Sequence, residues 1–175
     1  HRHKVKARID ARSDNPVFIY EGKNIRNSGI LYTDTFGNLV QLGFDNEIQK
    51  TELSGSGPHH FIVARLNASQ RPDIVIATTD KIRLFDSDGD LKCSFSGDGF
   101  LNMPVVYHQS ADKGWVGVLS STEEAIYLIN DQCVSFSDFP LFARGNFALG
   151  DINKDGITNV VAIGEPNTIY TYNLE

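Results

Sequence analysis

A pattern that recurs four times along the chain limits its fold more than any other feature. The segments "GILYTDTFGNLVQLGFDNEIQKTEL", "DIVIATTDKIRLFDSDGDLKCSF", "GWVGVLSSTEEAIYLINDQCVSF" and "NVVAIGEPNTIYTYNLE" align with one another. Each holds an apolar strand, a short polar turn and a second strand that alternates apolar with polar residues. Their first strands lie near residues 30, 74, 116 and 160, spacings of 44, 42 and 44. A further run precedes each pair ("VFIYEG", "FIVARL", "MPVVYH", "NFALGD"), and a more polar strand follows the first three ("EIQKTEL", "DLKCSF", "QCVSF"). Long helical patterns are missing. Self-similarity at such a period predicts a repeating unit of four antiparallel strands.

The predicted fold is therefore all-β: a β-propeller of about four blades of four antiparallel strands, either a small closed ring or a fragment of a larger propeller. Within a unit the pattern grades from the continuous apolar run "DIVIA", packed on both faces, to the half-exposed "DLKCS". The units run approximately over 17–56, 57–98, 99–142 and 143–175, one propeller or partial propeller across 1–175. The fourth stops after its third strand. Near the start, within 1–12, "HKVKARI" alternates as an edge strand does. It either supplies the missing strand or belongs to a preceding blade. Four blades lie at the bottom of the range that propellers use, which favours the fragment.

Charge narrows the choice of partners. The net charge is -6, but the first thirteen residues carry five of the sixteen Lys and Arg and only one of the twenty-two acids. The remainder, with eleven basic against twenty-one acidic side chains, repels a phosphate backbone, so nucleic acid is not an expected partner. No apolar run approaches the roughly 20 residues that span a bilayer. The chain begins at His1 rather than Met, so the absence of a leader carries no information about targeting.

The last unit, "FALGDINKDGITNVVAIGEPNTIYTYNL", resembles the FG-GAP or VCBS class of propeller repeat, in which an acidic loop joins the first two strands and an apolar strand follows. The second, "FIVARLNASQRPDIVIATTDKIRLFDSDGDL", is similar in layout and also resembles quinoprotein-like repeats. The resemblance covers residues 61 to 97 and 146 to 175 and implies a fold more strongly than a function. It implies an extracellular, periplasmic or cell-surface protein that binds other macromolecules, although some members are enzymes. Only the fourth unit keeps the acidic loop, so an array of calcium ions is not implied.

That loop is the candidate metal site. Asp151, Asn153 and Asp155 take places one, three and five, Gly156 the sixth, and Ile157 offers its carbonyl at the seventh. Calcium takes six to eight oxygens, and a Gly at the sixth place permits the sharp turn that presents them. The FG-GAP pattern has a carboxylate at place nine, where this chain has Asn159, leaving two formal charges rather than three. An EF-hand is excluded, because place twelve is Ala162 and no helix flanks the loop. The alternative is a metal-free turn whose Asp and Asn side chains satisfy backbone amides. Both readings stand at this stage.

Other polar groups read as structural. Asp86, Asp88 and Asp90 around Gly89 read as an Asp-Gly hairpin turn with both turn residues at positive φ, rather than as a metal site. Cys93 and Cys133 fall at matching places in the outer strands of adjacent units. Outer strands diverge from the axis and a disulfide needs Cα atoms within about 7 Å, so two free, partly buried thiols are expected. His1, His3, His59, His60 and His108 read as loop and strand-end residues, and "NAS" at Asn67 matches the N-glycosylation pattern in a predicted loop. Trp115, Tyr107, Phe136, Phe139 and Phe142 read as core between blades rather than as a sugar- or peptide-binding surface.

No catalytic constellation and no cofactor-binding residue emerges. The functional expectation is a non-enzymatic scaffold that binds a protein or glycan partner through loops on one face, with missing blades or another copy as further partners. The alternative is part of a propeller-containing enzyme, such as a quinoprotein dehydrogenase or polysaccharide lyase, whose reactive groups lie on the axis or outside this chain. A third possibility is a structural spacer within a large surface protein.

Overall fold

A computed structural model describes residues 12–20, 28–43, 47–53, 58–68, 71–100, 102–110 and 113–174. The proposed edge strand within 1–12 lies almost wholly outside them. The described residues form four antiparallel sheets and no helix, a β-propeller arrangement of blades. The first sheet orders β1 (Phe18–Tyr20), β2 (Gly29–Thr33), β3 (Asn38–Gly43) and β4 (Ile48–Glu52). The second orders β5 (His60–Ala64), β6 (Asp73–Ala77), β7 (Lys81–Phe85) and β8 (Leu91–Ser96). The third holds β9 (Val105–Ser110), β10 (Lys113–Ser120), β11 (Ala125–Ile129) and the short β12 (Leu141–Phe142). The fourth has three strands, β13 (Phe147–Gly150), β14 (Thr158–Ile163) and β15 (Ile169–Leu174).

Burial follows strand order. Every residue of β6 is buried, because its two faces pack against different neighbours, whereas β8 alternates between exposed and half-buried. Ile74 and Ile76 join Leu31, Leu39 and Phe61 in the seam between the first two blades. From the opposite face of β6, Val75 and Ala77 join Val116, Val118 and Ile129 in the seam between the second and third. Leu119 and Ile126 meet Val160 and Ala162 in the seam between the third and fourth. Among the described residues, no apolar cluster joins the fourth blade to the first.

Three turns share one construction. In Asp34–Asn38, Asp86–Asp90 and Asn130–Val134, the first side chain's Oδ1 accepts the backbone N–H groups two and four residues on. Its carbonyl accepts the N–H three residues on, and its own N–H bonds the carbonyl four residues on. The fourth position has positive φ each time: Gly37 at 80°, Gly89 at 92° and Cys133 at 59°. Gly takes this conformation without a Cβ penalty, whereas Cys133 does not. The Asp-Gly turn at 88–89 thus differs from the expected two-residue type, since only Gly89 has positive φ. The Asp86 carboxylate is spent on its own backbone.

The seams give a direct test. Ile126→Ala, at a fully buried position, should cost about 2–5 kcal/mol by urea unfolding. Ile169→Ala, on the face of the fourth blade turned away from the third and 71% exposed, should change stability by no more than about 0.5 kcal/mol.

Candidate functional site

With each sheet ordered from inner to outer strand, connections emerge alternately on two faces. The turn between second and third strands and the passage to the next blade share an upper face, as the bonds Leu53 N–H to Gly37 O and Ser121 N–H to Gly99 O confirm. The other connections share a lower face, where Gly114 N–H bonds Leu66 O and the Gln41 amide bonds Ser87 O.

On the upper face, the Asp34 turn holds Phe36 out at 65% exposure. Burial by itself raises the Asp34 carboxyl, but hydrogen bonds from the Asn38 side chain and from the Asn38 and Phe36 amides, with Lys50 nearby, outweigh it and bring it below its ordinary value. The Lys50 ammonium lies 3.5 Å from Asp34 Oδ2, and the His59 ring nitrogen meets Thr33 Oγ1 at 2.9 Å. Met103, 44% exposed in the passage between the second and third blades, is a second apolar point on this face.

The lower face carries the acidic loop. Asp151 accepts the Asp155 and Gly156 N–H groups, and Asp155 accepts the Ile157 N–H and the Asn153 amide. Lys154 and Gly156 turn the chain with φ of 60° and 88°. Asn159 is buried: its oxygen accepts the Ile152 N–H and its amide donates to Asn173. The loop brings Asp151, Asn153 and Asp155 together, with oxygen as the main donor atom, which suits a hard cation. Asn159 braces the loop against β15. Among the described residues, no three His, Cys, Asp or Glu side chains gather into a metal-holding group, so a cation here would rest on two carboxylates and neutral oxygens.

The cysteines are the clearest correction. Cys93 and Cys133 form a disulfide with a Cα–Cα distance of 5.9 Å. Cys133 lies in the Asn130 turn rather than on an outer strand, and that turn meets Cys93, Lys92 and Asn67 of the second blade. Around it, Lys92 Nζ sits 2.6 Å from buried Asp73 and 3.6 Å from Asp131, while Asn67 Nδ2 donates to Asp131 at 2.9 Å. Ion pairs, an amide and a covalent bond thus clasp the second blade to the third. The amide nitrogen that an N-glycan would use at Asn67 is engaged in this clasp, and Asn67 is bridged to Lys113.

The aromatic residues divide. Trp115 packs edge-on to Phe136 at 4.8 Å, Phe136 meets Phe139, and Phe139 lies against the third seam. Tyr107 bonds Thr158 Oγ1 across the blades. Phe142 is instead 37% exposed, edge-on to Tyr170 with Arg144 over its ring. His60 starts β5 and His108 lies exposed on β9; His1 and His3 lie outside the described residues.

Two concavities flank the lower end of β5. One, of about 530 Å³, is lined by Val63, Ala64, Arg65, Val106, His108 and Ser110. The other, of about 380 Å³, lies between Phe18, Ile19, Tyr20, Pro72 and the same Val63–Arg65 stretch. Their walls are inner strands.

Comparison with known proteins bears on the fold alone. No family model matches the chain, and no curated protein matches it. Among solved structures it is similar to one described as "Streptogramin B lyase structure", a β-propeller, at 12% identity and a TM-score of 0.55. The match covers 95% of this chain and 57% of that one, so the chain spans little more than half the length of its structural neighbour.

Replacing both Cys93 and Cys133 by Ser should lower stability by about 2–4 kcal/mol, the entropy of closing a loop of this length. Chemical unfolding with and without reductant checks it: reductant should destabilise the parent and leave the double variant unchanged.

Proposed function

We propose that this protein is a non-enzymatic propeller scaffold of the FG-GAP or VCBS type, and that its upper loop face binds a macromolecular partner, a protein or a glycan. The observation that carries this reading is Phe36. A large apolar side chain stands in solvent at the tip of a turn whose backbone is fixed by a buried carboxylate. Presenting it rigidly lowers the ordering cost of binding, and aromatic anchors dominate binding energies at interfaces. The disulfide clasp supports a setting outside the reducing cytosol, whether extracellular, periplasmic or cell-surface. The test is capture on immobilised protein, from extracellular extract and on a glycan array. A partner should be retained by the parent and by Ile152→Asp on the opposite face, and be lost by Phe36→Asp. Equal retention by Phe36→Asp would overturn the reading.

The lower loop carries a second proposal, one calcium ion held by Asp151, Asn153, Asp155 and the Ile157 carbonyl, with Asn159 as brace. It is supported by Asp151, Asn153 and Asp155 lying together in one loop with Gly156 in the left-handed region. With two charges, binding should be weak, in the millimolar class. Calorimetric titration should give saturable heat that Asp155→Ala abolishes; heat that survives this substitution, or no heat at millimolar calcium, would sink the proposal.

A further inference from the structure

Arg65 and His108 project from the inner-strand regions of adjacent blades onto one cavity, yet neither takes part in an ion pair or side-chain hydrogen bond among the described residues. Lys50, Arg71, Lys81, Lys92 and Arg144 meet carboxylates, whereas the Arg65 guanidinium stands at a concavity with no carboxylate against it among the described residues. The remaining wall is mainly apolar, with Val63 and Val106 half-buried and Ala64 buried, and the exposed Ser110 is its one other polar residue. The volume of about 530 Å³ suits a small organic molecule.

We propose that this cavity between β5 and β9 binds a small organic carboxylate, its head held by Arg65 and His108 and its apolar body laid against Val63, Ala64 and Val106. The guanidinium offers a planar fork of donors that matches a carboxylate in two parallel hydrogen bonds. The apolar wall supplies burial for the rest of the molecule. Phosphate would share the charge but not the apolar body, so the two sources are separable. The site is independent of the upper loop face, and either reading can fail without the other.

The test uses 3-phenylpropionate, its uncharged analogue 3-phenylpropionamide and inorganic phosphate, each titrated to millimolar concentration into isotope-labelled protein with backbone amide shifts as readout. Saturable shifts confined to residues 63–65 and 106–110 are expected for 3-phenylpropionate, with binding at least tenfold weaker for the other two probes. Arg65→Gln should weaken 3-phenylpropionate at least tenfold and leave distant amides in place, since Arg65 is exposed. Arg65→Lys, which keeps the charge but loses the fork, should fall between. The proposal is overturned if the shifts lie elsewhere or are absent, if the amide or phosphate binds equally well, or if Arg65→Gln binds like the parent.

Discussion

The structure depends on burial of apolar side chains between consecutive blades. A four-stranded sheet on its own leaves both faces of its middle strands in water, and no single repeat here has residues to cover both. Ile74 and Ile76 on one face of β6, and Val75 and Ala77 on the other, become buried only because the first and third blades stand on either side. Completely burying a Val or Ile side chain contributes roughly 1.5–3 kcal/mol, so three seams of such contacts outweigh any individual polar feature. Turns, clasp and cavity are all placed by where the seams put the strand ends.

The polar features then rigidify what the seams position. The turns built on Asp34, Asp86 and Asn130 satisfy backbone donors that the sheets leave unpaired, and a carboxamide serves in the third as well as a carboxylate in the first two. The clasp gathers Asp73, Lys92, Asp131 and Asn67 around the one disulfide at a single seam. A buried carboxylate such as Asp73 is tolerable there because Lys92 and the Leu66 N–H meet it directly.

The fold was legible because period and alternation are direct consequences of blade geometry. "DIVIA" reads as a strand packed on both faces, and β6 is buried throughout. The disulfide is hidden by an alignment of "QCVSF" on the outer strand "DLKCSF", which keeps the two sulfurs on diverging strands. Aligning by turn chemistry instead, "DTFGN" with "DSDGD" and "NDQCV", puts Cys133 in the place of a left-handed Gly, where it meets Cys93 of the preceding blade. Phe36 was hidden inside a turn that looked merely polar. The Arg65–His108 cavity left a fainter signal: the two residues are 43 apart, one repeat period, and so occupy equivalent places on neighbouring inner strands. Convergence toward an axis is a property of the assembled blades and has no counterpart in local sequence.

The same equivalence explains the outer face of the fourth blade. At the upper end of each second and third strand, one residue pair lies on the same side of its sheet, which in the first three blades meets the following blade: Thr33 with Leu39, Ala77 with Ile82, Leu119 with Ile126, and Ile163 with Ile169. The first three pairs are at most 4% exposed, while Ile163 and Ile169 are 52% and 71% exposed. The chemistry of the fourth pair is as apolar as that of the others, and what differs is the neighbour. Two adjacent exposed isoleucines thus share one sheet face with a third strand that has no partner at its outer edge among the described residues. A structural likeness at only 12% identity follows from the same physics, since the seam constrains volume and polarity at alternating positions and leaves the individual residues free.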